Sequence, residues 1–241
     1  MTQEIQIRKC TTLPDFHRCV ELQRAVWNES DLETEPYTTF VVANQTGGQV
    51  LGAFDGLTMV GFTMALVGVR EKIPYLHSHM TAVLSEYRDR KIGRALKLFQ
   101  REEALSRDIR LIEWTFDPLE TRNAHFNLNR LGAFVRTYIP NFYGLTSSPL
   151  HRNLPTDRLL AEWHLDSKRV VAAINDLAPD PTEAPAVIQV PKLDGSEPET
   201  ASVQSKIRSE FQHWLSKKYA ATSLRFTPTG ADYFLQPWSD F

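Results

Sequence analysis

One segment of the chain combines residue types that suit the binding of an anion. It covers residues 82–102, reads AVLSEYRDRKIGRALKLFQRE, and consists of a predicted strand, a basic turn and a predicted helix. A turn that enters a helix directs unpaired backbone N–H groups and the positive end of the helix dipole at one point, which suits a phosphate or pyrophosphate. Gly93 lets a ligand approach the backbone closely, and Arg88, Arg90 and Lys91 add positive charge. The segment therefore predicts an anion-binding loop.

Four side chains are candidates for a general base, namely His79, His77, Glu113 and Asp117. An imidazole needs the least adjustment for this role, because its unperturbed pKa of about 6.5 is close to neutral pH. We therefore prefer His79, which shares a strand face with His77; the alternative for both is a structural role in packing or hydrogen bonding. Asp117 ends a predicted strand, where open α/β sheets bind ligands, but it could equally cap the turn at Pro118.

The same residues allow two other kinds of site. His77 and His79 could form half of a metal site, but a third ligand is required, and only His125 or Asp117 could supply it. A nucleic-acid surface would use the basic residues of the turn and helix, but no aromatic residues are interleaved to stack on bases, and part of the cluster could be a solvated helix face. We expect neither a metal nor a nucleic-acid partner. The basic cluster comprises Arg88, Arg90, Lys91, Arg94, Lys97 and Arg101.

The elements that carry these residues are indicated by hydrophobic periodicity. Their predicted order is β-α-β-β-β-α-β-α-β-β, which is typical of an α/β chain around a mixed sheet. Asp55-Gly56 gives the strongest hairpin signal. Strands are predicted at 4–10, 50–54, 57–69, 75–84, 111–116, 133–139 and 159–165, and helices begin at Thr12, Ile92 and Thr121, the last ending at Gly132.

Composition restricts the class of protein. The chain has 241 residues, of which 42% are hydrophobic and 23% charged, and 27 Lys+Arg against 29 Asp+Glu give a formal net charge of -2. This describes a globular chain without an overall basic bias. The apolar stretch at 59–69 is too short to cross a bilayer, which needs about 20 residues, and the polar N-terminus lacks the apolar region of a signal peptide. Cysteine occurs only at Cys10 and Cys19, so we expect a cytoplasmic protein with no membrane partner.

The length corresponds to about 1.6 domains, and the composition changes towards the C-terminus. Five of the 14 prolines lie within 177–200, which predicts an extended, poorly packed connector. We expect a core at 1–166 and an extension at 167–241, made of the connector 177–200, a helix at 201–219 and a strand region at 224–237. About 40 residues rarely fold alone, so the extension should dock on the core. The helix has an apolar face formed by Val203, Ile207, Phe211, Trp214 and Leu215.

Several motifs follow one another along the chain. They are DFHRCVELQRAVW at 15–27, SHM at 78–80, YRDRKIGRALK at 87–97, WTFDPLETRNAHFNLNRLGA at 114–133, NFYG at 141–144 and LPTDRLLAEWHL at 154–165. In these motifs the chain resembles the GNAT N-acetyltransferase superfamily, and within it a subfamily of predicted bacterial and archaeal acyltransferases with an extended C-terminus. The resemblance covers about two-thirds of the chain. It implies an α/β (α+β) fold with a mixed, mostly antiparallel central sheet flanked by helices, in which 1–166 is the acyl-CoA-binding catalytic core.

The resemblance implies acyl-CoA as the co-substrate. In the superfamily an R-x-x-G-x-G/A loop binds the pyrophosphate through backbone amides. Aligned from Tyr87, Arg88 takes the arginine position, Lys91 replaces the first glycine and Gly93 is the second. Lys91 keeps a backbone N–H, although a left-handed conformation there would be strained. The expected cofactor-binding residues are Val83, Arg88, Arg90, Lys91, Ile92, Gly93, Arg94 and Asn123.

A second register of the same loop is also compatible with the sequence. It starts two residues later and matches the motif literally as Arg90-x-x-Gly93-x-Ala95. We prefer the first register, because the helix then begins at Ile92 with its apolar face intact.

The implied reaction is direct transfer, in which a neutral amine attacks the thioester, a base removes its proton and an acid protonates the leaving thiolate. The SHM motif lies beside the cofactor strand in the subfamily, which favours His79 as the base, with Asp117 as a further candidate. The superfamily's thiolate-protonating tyrosine lies four residues before the helix-ending glycine, and that position is Leu128 in this chain. Tyr138 or Tyr143 could take its place if the fold brings one of them to the thioester.

The resemblance also suggests an acceptor. Relatives with the extended C-terminus are in some cases linked to N-acylation of amino acids, including N-succinylation. We therefore expect transfer from acetyl-CoA or succinyl-CoA to a small-molecule amine, with substrate carboxylates bound by Arg122, Arg136 or Arg158. The alternative is a catalytically inactive acyl-CoA-binding sensor or scaffold, which Lys91 and Leu128 favour. The sequence is compatible with a homodimer and does not determine the oligomeric state.

Overall fold

The computed structural model describes residues 4–27, 33–144, 154–177, 184–193 and 196–240. Parts of the predicted connector, at 178–183 and 194–195, lie outside the described residues. The chain consists of two compact units. The first contains the described residues up to Ile112, and the second contains those from Glu113 onwards.

The first unit is built on four antiparallel strands, in the order β1-β2-β3-β4. Because Gly56 has a φ of 58°, the turn after β2 uses a conformation that glycine adopts without strain, and the predicted hairpin forms there. The strands are β1 (Gln6–Lys9), β2 (Gln49–Asp55), β3 (Thr58–Arg70) and β4 (Ile73–Val83).

Three helices of the first unit cover this sheet. They are α1 (Leu13–Trp27), α2 (Tyr37–Gln45) and α3 (Ile92–Leu105). Neighbouring residues of a strand point to opposite faces, so β2 contributes to two separate cores. Val50 lies in the core that also contains Phe16 and Phe40 of the first two helices, whereas Leu51 lies in the core with Leu96 of α3. The helices therefore fix the sheet from both faces.

The second unit begins within β5 (Leu111–Phe116), and its strand order is β5-β7-β6-β9-β10-β8. The β6–β7, β6–β9, β9–β10 and β10–β8 pairs are antiparallel. The predicted class, an α/β chain with mostly antiparallel strands and flanking helices, is confirmed. The remaining elements are α4 (Thr121–His125) with a π-helical turn at Phe126–Arg130, β6 (Phe134–Ile139), β7 (Arg158–His164), α5 (Lys168–Ile174), β8 (Ala186–Pro191), α6 (Glu197–Ser216), β9 (Tyr219–Thr227) and β10 (Gly230–Pro237).

The C-terminal residues extend the sheet of the second unit. Val135 of β6 pairs with Ala221 of β9, and the helix α6 packs against β6, β8 and β9. The predicted connector differs from expectation, because it contains β8, whose Ile188 and Val190 are buried and which pairs with β10 along its length. Its proline, Pro191, ends the strand, where a missing N–H costs little. The division at residue 166 remains a prediction.

Two helices of the structure were not predicted. α2 has the sequence YTTFVVANQ, rich in β-branched residues of low helix propensity, and it is held by burial of Phe40 and Ala43. α5 is a short helix whose N-terminus is capped by Ser167, which accepts a hydrogen bond from the N–H of Val170 at 3.3 Å. Among the described residues, no helix is both long and apolar enough to span a membrane.

Candidate functional site

The turn between β4 and α3 places a left-handed residue immediately before the helix. Lys91 is the N-cap of α3, with φ of 61° and ψ of 12°. Glycine adopts this conformation most easily, so Lys91 stands where a loop glycine would be expected. The helix begins at Ile92, and this geometry fits the first register.

Three backbone N–H groups lie before the first hydrogen bond of α3. The N–H of Ala95 donates to the carbonyl O of Lys91 at 2.9 Å, so those of Ile92, Gly93 and Arg94 precede it. The second register would need the N–H of Ala95, which is already used within the helix. A Cβ at Gly93 would meet no atom of the described residues within 4 Å beyond its own surroundings in the helix. The packing does not require glycine there, whereas a close ligand would.

The turn carries positive charge and is anchored to the β2–β3 hairpin. Arg88, Arg90 and Lys91 are all exposed. The hydroxyl of Tyr87 donates to Asp55 Oδ2 at 2.8 Å, and this carboxylate raises the pKa of Tyr87. The guanidinium of Arg90 lies 4.7 Å from the centre of the Tyr87 ring. Arg90 is therefore held near the start of α3, where the helix dipole already favours an anion.

His79 lies on β4, four residues before Val83, at an irregularity of the strand. Ser78 pairs with Ala65 of β3 and Met80 pairs with Met64, so His79 is the extra residue of a β-bulge. The Nε2 atom of His79 is 3.5 Å from Oε1 of Glu35, in the segment before α2. Glu35 is not among the site residues predicted from the sequence.

The other histidine of β4 does not complete a metal site. The ring centres of His77 and His79 are 6.4 Å apart. Within the described residues, no group of three or more His, Cys, Asp or Glu side chains could hold a metal ion. Both Cys10 and Cys19 are buried free thiols.

Lys97 is a buried cation that the sequence suggested only as part of a basic helix face. Its side chain is 4% exposed, and Nζ donates to Ser78 Oγ at 2.7 Å and to Gln100 Oε1 at 3.1 Å. Burial lowers the pKa of Lys97 to about 7. The basic cluster is therefore not one solvated surface, because one of its members lies beneath the helix.

Asp117, Tyr143 and Arg158 come together in the second unit. The hydroxyls of Tyr143 and Thr115 are 3.0 Å apart, and the Arg158 guanidinium lies 5.4 Å from the centre of the Tyr143 ring. Arg158 also lies 3.9 Å from Oδ2 of Asp117. Asp117 accepts a hydrogen bond from the N–H of Leu119 at 2.8 Å, which is the turn-capping role. Burial raises the pKa of Asp117, while this N–H and Arg158 oppose the rise.

Tyr138 belongs to a different network, centred on the fully buried carboxylate of Asp157. Asp157 accepts hydrogen bonds from the Tyr138 hydroxyl at 2.5 Å, from Arg208 Nε at 2.7 Å and from the N–H of Asn141 at 3.0 Å. Burial and the adjacent carboxylate raise the pKa of Tyr138. The hydroxyl proton of Tyr138 is therefore already donated to Asp157.

The neighbouring residue Thr156 holds the turn that carries Tyr143. Its hydroxyl accepts a hydrogen bond from the N–H of Tyr143 at 2.8 Å and donates to the carbonyl O of Gly144 at 2.9 Å. The side chain of Tyr143 is itself 44% exposed. Of the two predicted tyrosines, Tyr143 is therefore the more exposed.

The other predicted residues of the second unit are dispersed. Arg136 is bound to Glu162 through two hydrogen bonds, one of them 3.0 Å long from Nε. Arg122 and Asn123 are exposed at the start of α4. Leu128, at the superfamily's tyrosine position, is 1% exposed. Glu113 is also buried, at 1% exposed.

Each unit thus brings together part of the predicted set. In the first unit, Val83 and the residues from Arg88 to Arg94 follow His79 along one strand, turn and helix. In the second, Asp117, Tyr143 and Arg158 form a cluster, whereas Tyr138 and Arg136 each bind a carboxylate elsewhere. The sequence did not indicate four residues of these contacts, namely Glu35, Gln23, Asp157 and Arg208. It indicated Lys97 only as part of the basic cluster and not as a buried residue.

The chain resembles known proteins in structure but not in sequence. No protein-family model matches the sequence, and no curated protein is similar to it. Solved structures do resemble it. The ribosomal-protein-S18-alanine N-acetyltransferase of Escherichia coli superposes with a TM-score of 0.53 at 16% identity, over 68% of this chain and 96% of the other.

Two further acetyltransferase structures give the same result. The PaiA N-acetyltransferase of Thermoplasma acidophilum, in complex with coenzyme A, has a TM-score of 0.51 and 18% identity, over 67% of this chain and 99% of that one. A GNAT-family acetyltransferase from Streptococcus pneumoniae has a TM-score of 0.51 and 14% identity, over 66% and 98% of the two chains. At these identities the likeness establishes architecture, and the chain has the fold of the GNAT N-acetyltransferases.

Proposed function

We propose that this protein is an N-acyltransferase that transfers an acyl group from acyl-CoA to a small-molecule amine by direct transfer. The observation that carries the proposal is the N-terminus of α3, where the left-handed Lys91 leads into free space above Gly93. The backbone N–H groups of Ile92, Gly93 and Arg94 would bind pyrophosphate oxygens, and Arg88 would add charge. These donors fit a pyrophosphate better than a general anion, because three consecutive N–H groups meet several oxygens at once.

Proton transfer is assigned to residues that a ligand can reach. Bound acyl-CoA supplies the activated thioester. His79, which is 28% exposed in its side chain, would accept the proton of the amine. Tyr143 is our candidate for the acid, because Tyr138 already donates to Asp157. Asp117 is retained as the alternative base, because burial holds its pKa above the usual range.

We also propose a specific class of acceptor and of acyl donor. The similar solved structures include an enzyme named for alanine of ribosomal protein S18, so a protein acceptor must be tested alongside small amines. We favour a small amine such as an amino acid, and acetyl-CoA or succinyl-CoA as donor. Arg122 is the most available of the three predicted carboxylate-binding arginines, since Arg136 and Arg158 each contact an acidic side chain. The two buried free thiols accord with a reducing compartment, and we propose the cytoplasm.

Substitution of Gly93 tests the coenzyme site directly. Gly93→Leu places a large side chain in open space, so the protein should fold while the bound pyrophosphate is displaced. Ala95→Leu is the matched control, since Ala95 is exposed on the same helix but its N–H is used within the helix. We expect CoA to raise the thermal unfolding midpoint of the wild type and of Ala95→Leu, and not of Gly93→Leu. Equal stabilisation of all three proteins would contradict this site.

Turnover is measured by release of free thiol. The wild type is incubated with acetyl-CoA or succinyl-CoA, together with a pool of amino acids, a pool of polyamines or a peptide with a free N-terminus. The proposal expects thiol release that depends on one of the amine pools. The peptide arm distinguishes a protein acceptor.

A catalytically inactive acyl-CoA sensor is the second candidate. It is favoured by Leu128, which is buried where the superfamily has its acid, and by the commitment of Tyr138 to Asp157. Thermal stabilisation by CoA without thiol release in any pool would select this function over the transferase.

A further inference from the structure

We propose that Glu35 is a positioning residue for His79, and that Gln23 holds Glu35 in the place where it acts. The inference rests on the proposed role of His79 as proton acceptor. All three residues lie in the first unit, on α1, in the segment before α2 and on β4.

The contact between Glu35 and His79 has the chemistry of a base and its orienting group. Oε1 of Glu35 lies 3.5 Å from Nε2 of His79, and the two side chains are 33% and 28% exposed. This separation is longer than that of a short hydrogen bond. Such contacts often shorten when substrate binds, and partial exposure leaves the pair accessible to an acceptor.

Gln23 fixes the backbone at Glu35 with both ends of its amide. Gln23 is 1% exposed, its Nε2 donates to the carbonyl O of Glu35 at 3.1 Å, and its Oε1 accepts from the N–H of Glu35 at 3.0 Å. Burying an amide is unfavourable unless it is fully hydrogen-bonded, and here one residue satisfies both ends. The position of Glu35 is therefore set from α1 rather than left to its own segment.

The strand irregularity supplies the other half of the arrangement. His79 is the extra residue of the β-bulge between the Ser78–Ala65 and Met80–Met64 pairs. A bulge redirects a side chain relative to a regular strand. The bulge thus positions His79 and the Gln23 amide positions Glu35. The two partners of the contact are therefore held by separate features of the structure.

This arrangement defines how the imidazole would work. With Nε2–H directed at the Glu35 carboxylate, the lone pair of Nδ1 remains to accept a proton. As the amine nitrogen forms the C–N bond, the C–S bond of the thioester breaks and its electron pair leaves on the CoA sulfur as a thiolate, which the proposed acid Tyr143 protonates. The amine N–H proton passes to Nδ1. The imidazolium so formed lies beside a carboxylate, which stabilises it.

Four variants test the inference in the full-length protein. Glu35→Gln removes the charge, Glu35→Asp keeps it, and Gln23→Met removes the amide clamp without changing any charge. Glu33→Gln is the matched control, because it removes one charge from the same segment without a place in the proposed machinery. Each is assayed for kcat, for the KM of acyl-CoA and for the NMR signals of the His79 ring, which the His79→Gln spectrum identifies.

We expect Glu35→Gln to lower kcat by about 10-fold to 100-fold, with a KM for acyl-CoA within about 2-fold of wild type. Gln23→Met should lower kcat in the same direction, Glu35→Asp should recover part of the loss, and Glu33→Gln should stay within about 2-fold. The His79 ring signals should move in Glu35→Gln and Gln23→Met but not in Glu33→Gln.

Two results would separate this inference from the proposed function. Equal kcat in Glu35→Gln and Glu33→Gln, with unchanged ring signals, would overturn the inference and leave the transferase intact. A wild type without turnover would contradict the transferase instead. The ring signals, recorded without substrate, would then decide whether Glu35 orients His79.

Discussion

At Lys91 the backbone adopts a conformation that costs an L-residue about 1–2 kcal/mol. The residue lies outside the regular helix and its side chain is exposed, so packing of the side chain gives no compensation. A backbone outlier next to three N–H groups that precede the first helical bond is where strain is expected at a binding site. The charge of Lys91, rather than its fit to the fold, is the property that a pyrophosphate would use.

Substitution of Lys91 by two small residues separates strain from charge. Lys91→Gly and Lys91→Ala remove the same charge, but only glycine relieves the left-handed conformation. We expect the free energy of unfolding of Lys91→Gly to exceed that of Lys91→Ala by about 1 kcal/mol, measured by urea denaturation. Equal stabilities would mean that residue 91 is not left-handed in solution.

Lys97 makes a prediction about pH. Its pKa is lowered by burial from 10.5 to about 7 in the folded chain. Between these two pH values the unfolded chain binds more protons than the folded one, so the free energy of unfolding rises with pH. The slope is up to about 1.4 kcal/mol per pH unit. It becomes zero below pH 7, where both states are protonated and the destabilisation by the buried charge is greatest.

Lys97→Met removes this pH dependence. The free energy of unfolding of the wild type minus that of Lys97→Met should therefore increase from pH 7 to pH 9, measured by urea denaturation at several pH values. Lys206→Met, at a lysine whose side chain is 66% exposed, is the control and should run parallel to the wild type. Parallel curves for Lys97→Met as well would show that Lys97 is charged in the folded state.

At the scale of elements, α6 does more than cover the sheet. Its Arg208 binds both oxygens of Asp157, through Nε at 2.7 Å and Nη2 at 2.8 Å. The same carboxylate holds Tyr138 of β6 and the N–H of Asn141, where the turn carrying Tyr143 begins. A helix of the C-terminal extension thus binds the same carboxylate as the turn that contains a candidate catalytic residue.

Loss of Arg208 should expose the cost of burying Asp157. Arg208→Leu leaves a fully buried carboxylate without its charged partner, so we expect the free energy of unfolding to fall by about 2–4 kcal/mol. Lys206→Leu, two residues away in a solvent-exposed pair, should change it by less than about 0.5 kcal/mol. A similar small effect of both substitutions would contradict a structural role for the Arg208–Asp157 pair.

Elements with clear periodicity could be predicted, and long-range polar contacts could not. The turn and helix around Gly93 follow from local residue types, and the structure places them as the periodicity of α3 indicates. By contrast, Arg208 and Asp157 are 51 residues apart, and the sequence around neither residue indicates that they pair. Gln23 likewise binds the backbone of Glu35 through its side chain. A bond to the backbone does not depend on the type of residue at position 35, so the sequence gives no pattern for it. β8 was missed because its flanking prolines outweighed a short alternation of buried and exposed residues.

At the scale of the molecule, the residues in excess of one domain form strands of a continuous sheet in the second unit. β9 pairs with β6, β10 with β9, and β8 with β10, so the last strands have no partners other than the core strand β6 and one another among the described residues. The apolar face predicted for α6 is used within this unit, since Ile207 and Phe211 are fully buried. We therefore expect the extension to fold together with β6 rather than as an appendage.

This architecture predicts that the extension stays bound after the chain is cut. A protease site inserted after Leu177 allows cleavage between α5 and β8 without removing any described element. Because β9 pairs with β6 and Arg208 binds the buried Asp157, the two fragments should co-elute in gel filtration under native conditions. In the cleaved Arg208→Leu variant they should separate at a lower urea concentration, whereas cleaved Lys206→Leu should match the cleaved wild type. Elution of the C-terminal fragment by itself in native buffer would show instead that residues 178–241 form a separable extension.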